Sequence, residues 1–216
     1  MYIAIEGVIG VGKTTLARLL QVSFQAELLL EQFDENPFLA KFYSDRERYA
    51  FQTQIFFLLS RYDQQRRTAP RALAAGQNLI ADYTFEKDAL FAGINLQGDE
   101  FETYIRVHEA LAEKLPLPDL VVYLRASTER LMQRIASRDR SYERNMERAY
   151  IEELNVAYEG FFAEGQRKAE VLTIDTNDLD YVSDPAALQW VEQRIRQALK
   201  LAPFQTELPL EGGDGR

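Results

Sequence analysis

The stretch that most limits what this chain can fold into lies at its start, where an apolar run (YIAI, residues 2–5) leads into GVIGVGKTT. Gly7, four further residues and then Gly12-Lys13-Thr14 make a complete phosphate-binding pattern, which requires a strand before it and a helix after it. Glycines let the backbone turn tightly, so that successive N–H groups point into one hollow and hold the α- and β-phosphate oxygens of a nucleotide without side chains. Lys13 is placed to reach the β- and γ-phosphates, and the Thr14 hydroxyl to ligate Mg²⁺. The helix read over 15–22 presents its positive end to the same anions. The pattern specifies phosphate binding and leaves the acceptor of any phosphoryl group open.

Composition narrows the partners. The formal charge of −9 argues against a nucleic-acid groove, because binding a polyphosphate backbone relies on basic patches. With no cysteine, thiolate metal sites are excluded, and the single histidine, His108, argues against a histidine-based zinc site, leaving a hard cation carried in with phosphate. No run of eighteen apolar residues and no basic leader is present, so the expectation is a cytoplasmic protein without a membrane partner. The 216 residues suit one domain, read as 1–201, followed by a tail over 202–216 that ends GGDGR.

Further strands are read at 26–31 (AELLLE), 78–82 (NLIAD), 120–124 (LVVYL) and 171–174 (VLTI). Helices are expected at 38–43, 48–67, 99–114, 127–162 with a break near 138–142, and 185–201. Pro70 is expected to interrupt the pattern after 67, with helix resuming over 71–75 and stopping at Gly76. Five strands separated by helical crossovers predict a three-layer α/β fold with a five-stranded parallel sheet flanked by helices. Ligands of such sheets sit beyond the carboxyl ends of the strands, so the glycine loop, Glu31 and Asp82 should converge.

Glu31 follows an apolar strand and suits a base for an attacking hydroxyl, with Asp34 and Glu35 as rivals. Asp82 is a candidate for Mg²⁺ through water, or for pairing with Lys13. Gln54 and Arg61, seven residues apart, share one helical face, from which a glutamine amide can read a base edge. Arg134, Arg138 and Arg140 lie on a helix end and the turn after it, a basic lid able to neutralise charge that develops on a transferring phosphoryl group. The aromatics Phe56, Phe57, Phe85 and Phe91 are read as core or as base-stacking residues.

GVIGVGKTT, LLLEQF followed by NPFLAKFY, FQTQIFFLLSR, ADYTFEKDALF and RIASRDRSYE together resemble the deoxynucleoside kinases of the phosphate-loop kinase superfamily, in particular their bacterial deoxyadenosine/deoxyguanosine kinase branch. The resemblance covers roughly residues 1–200. It implies Mg²⁺-ATP as phosphoryl donor and the 5′-hydroxyl of a deoxynucleoside as acceptor, purines preferred and deoxyadenosine ahead of deoxyguanosine. It assigns Glu31 as base and Lys13, Arg138 and Arg140 to the transferring phosphoryl group. Tyr43 and Glu143 fall to the sugar 3′-hydroxyl, and Gln54, Arg61 and Asp88 to the nucleobase, with Phe85 also on the substrate side. Gly7, Gly10, Gly12, Thr14, Thr15 and Arg134 fall to the nucleotide, Thr14 and Asp82 to the metal. A homodimer is also implied.

One departure stands out. Many members carry an arginine directly after the carboxylate that ends the third strand, whereas this chain reads Asp82-Tyr83-Thr84. Lys87 is the candidate for the missing positive charge. The nearest alternative activity is a nucleoside monophosphate kinase such as a thymidylate kinase, which shares the loop, the sheet and the lid.

Overall fold

Alternation of short buried strands with amphipathic helices produces the expected layers in the computed structural model, which describes residues 1–144, 146–163 and 169–202. The strands are β1 (Tyr2–Glu6), β2 (Ala26–Leu29), β3 (Asn78–Ala81), β4 (Leu120–Arg125) and β5 (Glu170–Asp175). They form one sheet in the order β2-β3-β1-β4-β5, all neighbours parallel. The helices are α1 (Lys13–Phe24), α2 (Leu39–Ser44), α3 (Arg46–Ala74), α4 (Lys87–Asn95), α5 (Gly98–Ala112), α6 (Thr128–Arg138), α7 (Arg148–Ala163) and α8 (Pro185–Ala198).

β1 is buried along its whole length, as a central strand covered on both faces must be. Ile3 and Ile5 join Leu16 and Leu20 of α1, Leu58 of α3 and Leu120 of β4 in one core, all six fully excluded from solvent. Because β1 sits between β3 and β4, the glycine loop leaving it opens beside the exits of both neighbours.

Two features differ from the sequence expectation. Pro70 does not interrupt α3, which runs through it to Ala74. A proline there removes a single intrahelical hydrogen bond one turn before the end, and burial of Ala69 and Ala72 against β1 and β3 outweighs that loss. The stop at Gly76 holds: its N–H donates to Leu73 O at 3.0 Å and that of Gln77 to Ala72 O at 2.9 Å. Helix α4 was not expected. Nine residues opening on Lys87-Asp88 gave too short a periodic pattern to be read, and the helix is held by contacts with α3, α5 and α7. Of the tail read over 202–216, residues 203–216 lie outside the described residues.

Candidate active site

The glycine loop carries its own geometry. Gly7 and Gly12 have φ of +143° and +107°, where L side chains are strained. A Cβ at Gly7 would run into the carbonyl of Leu124, and one at Gly12 into the hydroxyl of Tyr181. Lys13 Nζ donates to Gly7 O at 2.6 Å and Val8 O at 3.2 Å, closing the loop over its own carbonyls. Burial lowers the Lys13 ammonium to about 8, as does the charge of Lys87, against the opposing pull of Glu6, Glu31 and Asp82. Arg134 braces the loop from the side, donating to Val11 O at 3.1 Å and to Thr176 O at 2.6 Å and Oγ1 at 3.0 Å.

Beyond the strand ends the carboxylates converge. Asp82, buried, accepts from Thr14 Oγ1 at 2.5 Å through one oxygen and from the Glu31 N–H at 2.8 Å through the other. It therefore ties the glycine loop to the segment leaving β2 and makes no pair with Lys13. Glu31 lines the cavity that opens here, whereas its rivals Asp34 and Glu35 are exposed on the following 3₁₀ turn. Lys87 Nζ lies 3.0 Å from Glu31 Oε2. Arg61 approaches Glu31 Oε1 through Nη2 and through Nε at 2.8 Å, and its Nη1 pairs with Asp88. Burial alone would raise the Glu31 carboxyl, but the charges and hydrogen bonds of Arg61 and Lys87 outweigh it and hold the group well below the usual carboxylate range.

The cavity continues from Gly10, Lys13 and Thr14 past Glu31 to Gln54, Phe57 and Arg61 of α3, Lys87 and Phe91 of α4, and Arg138, Arg140 and Glu143 of the lid. Gln54 and Arg61 are both buried, on the α3 face that also carries Leu58. Arg61 lies over the ring of Phe57, 4.5 Å from guanidinium carbon to centroid. In the lid, Arg138 donates to buried Glu143 through Nε at 2.6 Å and Nη2 at 2.5 Å, while Arg140 Nη1 lies 3.7 Å from it. Tyr43 stacks on Tyr142 with centroids 6.4 Å apart, and Arg140 covers Phe33 at 4.2 Å. A second cavity, on the outer side of the glycine loop, is lined by Gly10, Gly12, Thr15, Arg134 and Arg138 together with residues 177–182 after β5.

The structure thus brings most of the sequence-assigned residues to one cleft, with a correction for Phe85. Its ring is buried and stacked on His108 at 4.8 Å, within the core and away from the residues that line the cavity. Packing against Tyr62 and His108 in the core keeps Phe85 out of the cavity lining. The aromatic walls are instead Phe33, Phe42, Tyr43, Phe57, Phe91, Tyr142, Tyr150 and Tyr158. Of these the sequence offered a signal only for Tyr43, Phe57 and Phe91. Glu6 was missed altogether. It is fully buried at the end of β1 and accepts from Gly7 N at 3.1 Å, Thr84 N at 2.5 Å, Thr84 Oγ1 at 3.1 Å and Tyr158 Oη at 3.1 Å, joining loop, β3 exit and α7.

A parallel sheet with a glycine loop, a lysine inside that loop, converging carboxylates and an arginine lid defines a phosphoryl-transfer enzyme of the nucleotide-binding α/β class. Residues 3–200 match the deoxynucleoside kinase family model, and the chain belongs to that family. It is 35% identical to the deoxyguanosine kinase of Bacillus subtilis over 201 residues, covering 92% of this chain and 97% of that one. It is 30% identical to the deoxyadenosine/deoxycytidine kinase of the same organism over 205 residues, covering 91% and 92%. A structure of deoxyadenosine kinase from M. mycoides with bound dATP superposes with a TM-score of 0.78 at 26% identity, covering 91% of this chain and 99% of that chain. The protein is accordingly a phosphotransferase acting on deoxynucleosides. Among the described residues no helix is long and apolar enough to cross a membrane.

Proposed function

We propose that the protein transfers the γ-phosphoryl group of Mg²⁺-ATP to the 5′-hydroxyl of a purine 2′-deoxynucleoside. The observation that carries this reading is Glu31, a cavity-lining carboxylate beside the mouth of the glycine loop. The nucleoside 5′-oxygen attacks the γ-phosphorus, the bond to the β–γ bridging oxygen breaks and ADP departs. The hydroxyl proton passes to Glu31. The backbone of Gly7, Gly10 and Gly12 with Lys13, Thr14 and Thr15 holds the donor phosphates, Arg134 supports the loop, and Arg138 and Arg140 turn from Glu143 toward the transferring group. Tyr43 and Glu143 take the sugar 3′-hydroxyl, and Gln54 takes the base with Arg61, which buried Asp88 holds from behind.

The metal fits the residues present. Thr14 Oγ1 and Asp82 Oδ2 already meet at 2.5 Å, and among the described residues no group of three acidic, histidine or cysteine side chains stands ready to hold an ion alone. Thr14 would ligate the ion directly and Asp82 through water, phosphates supplying the rest, and the ion would offset charge on the β- and γ-oxygens.

A nucleoside monophosphate kinase needs cations for the phosphate of its acceptor. Here the acceptor end holds Glu31, whose two flanking cations are already engaged. For the base, Gln54 suits either purine after an amide flip, and Arg61 is able to donate to a carbonyl oxygen. The sequence reading places deoxyadenosine ahead, while the 35% relative is a deoxyguanosine kinase. We propose both as acceptors, and a homodimer in the cytoplasm as the working form. The test is kcat/KM for deoxyadenosine, deoxyguanosine, deoxycytidine, thymidine and thymidine monophosphate at saturating Mg²⁺-ATP, with the mass in solution from light scattering. A tenfold advantage for thymidine, about 1.4 kcal/mol in transition-state binding, overturns the purine assignment. Exclusive formation of thymidine diphosphate overturns the acceptor class.

A further inference from the structure

The guanidinium of Arg61 is shared between two carboxylates with different duties. Nε and Nη2 lie on Glu31, Nη1 lies on Asp88, and the plane rests over Phe57 at the cavity wall. All three nitrogens are committed. Asp88 is fully buried in the first turn of α4, and its second oxygen has no hydrogen-bond partner, so its negative charge falls on Arg61. A guanidinium is planar and rigid, so a shift that tightens one of its ion pairs loosens the other. Glu31 is the site of this competition: with Lys87 on one oxygen and Arg61 on the other it is a weak base, and it strengthens as Arg61 moves away.

We propose that Asp88 is a positioning residue that lets Arg61 report the identity of the nucleobase to Glu31, so that selectivity for a purine oxygen at position 6 is expressed in the chemical step. An oxygen there accepts from Arg61, draws the guanidinium toward the base and Asp88, and frees Glu31 to take the 5′-hydroxyl proton. A purine without that oxygen leaves Arg61 on Glu31. Tyr83, the residue directly after Asp82, is buried and brings no cation to Glu31, its hydroxyl being spent on Gln64 at 2.9 Å. Arg61 therefore links Asp88 to the reacting end, which it shares with Lys87.

The inference rests on the cavity being a deoxynucleoside site, and the experiment separates the two. 2′-Deoxyinosine and purine 2′-deoxyriboside, which lacks the 6-oxygen, are compared in single-turnover phosphorylation at saturating Mg²⁺-ATP, with dissociation constants from calorimetry. The wild-type enzyme is expected to phosphorylate deoxyinosine at least tenfold faster at saturation, with dissociation constants within threefold of each other. In Asp88→Asn the rate ratio should fall to within twofold, because without the second charge Arg61 stays on Glu31 for either base. Equal single-turnover rates in the wild type, or discrimination confined to the dissociation constants, overturn the coupling while leaving the kinase reading intact. A ratio preserved in a folded Asp88→Asn enzyme does the same. Should that variant not fold, the wild-type comparison decides alone. Phosphorylation of neither nucleoside removes the functional reading and the coupling with it.

Discussion

Lys87 Nζ stands 3.0 Å from Glu31 Oε2, the oxygen that Arg61 leaves free. The lysine is buried on the first turn of α4, five residues after Asp82. It thus places a cation on Glu31, which Tyr83, the residue directly after Asp82, does not. Replacing Lys87 by Met is expected to lower kcat by about a hundredfold, because losing the contact that positions Glu31 outweighs the rise in its basicity. KM for ATP should change little, and Lys87→Arg should recover part of the loss. Steady-state kinetics on the three enzymes checks this, and an unaltered kcat in the Met enzyme would remove Lys87 from the reaction.

Glu31→Gln keeps shape and loses the proton acceptor. The single-turnover rate is expected to fall by about 10²- to 10⁴-fold, the usual span for a positioned general base. Affinity for a non-hydrolysable ATP analogue should stay within about threefold. Near-normal turnover would move the role of base away from Glu31.

Lys13 gives the clearest pH signature. Its ammonium is lowered to about 8 in the free protein, so above that pH the loop increasingly holds a neutral amine. Donor phosphates bind the charged form, and affinity for the ATP analogue should fall by up to about tenfold per pH unit between pH 8 and 9.5. The stability of the nucleotide-free protein runs the other way. A lysine whose folded value lies below its unfolded one destabilises at low pH and ceases to do so as pH rises through the window from about 8 to about 10.4. Calorimetric titration and urea denaturation across that range measure the two slopes, and Lys13→Met should flatten both.

Glu6 tests the framework under the loop. All four of its contacts come from donors, so Glu6→Gln turns an amide NH₂ toward two of them and removes the charge. A loss of about 2 kcal/mol or more in urea unfolding is expected, consistent with leaving buried donors unpaired. Weakened nucleotide binding should accompany it, since Gly7 N belongs to the phosphate loop. Unchanged stability would mean that the four donors find other acceptors.

The sequence determined much of this protein on its own, because the features concerned are local. A glycine loop between an apolar strand and a helix is written in fourteen consecutive residues, and parallel strands joined by helices leave little choice of layers. Glu31 and Asp82 were legible because each follows a strand, and strand ends in such a sheet share one edge. What lay beyond reach was set by contacts between distant segments. Arg61 and Glu31 are thirty residues apart, and Tyr158 and Glu6 more than a hundred and fifty, so neither pairing leaves a trace in periodicity. Only the packing of α3 and α4 over the sheet decided that Phe85 turns into the core toward His108 while Phe91, six residues on, faces the cavity. The same packing brought a single guanidinium to two carboxylates. Composition specifies which charges exist, whereas burial and distance determine which of them hold one another.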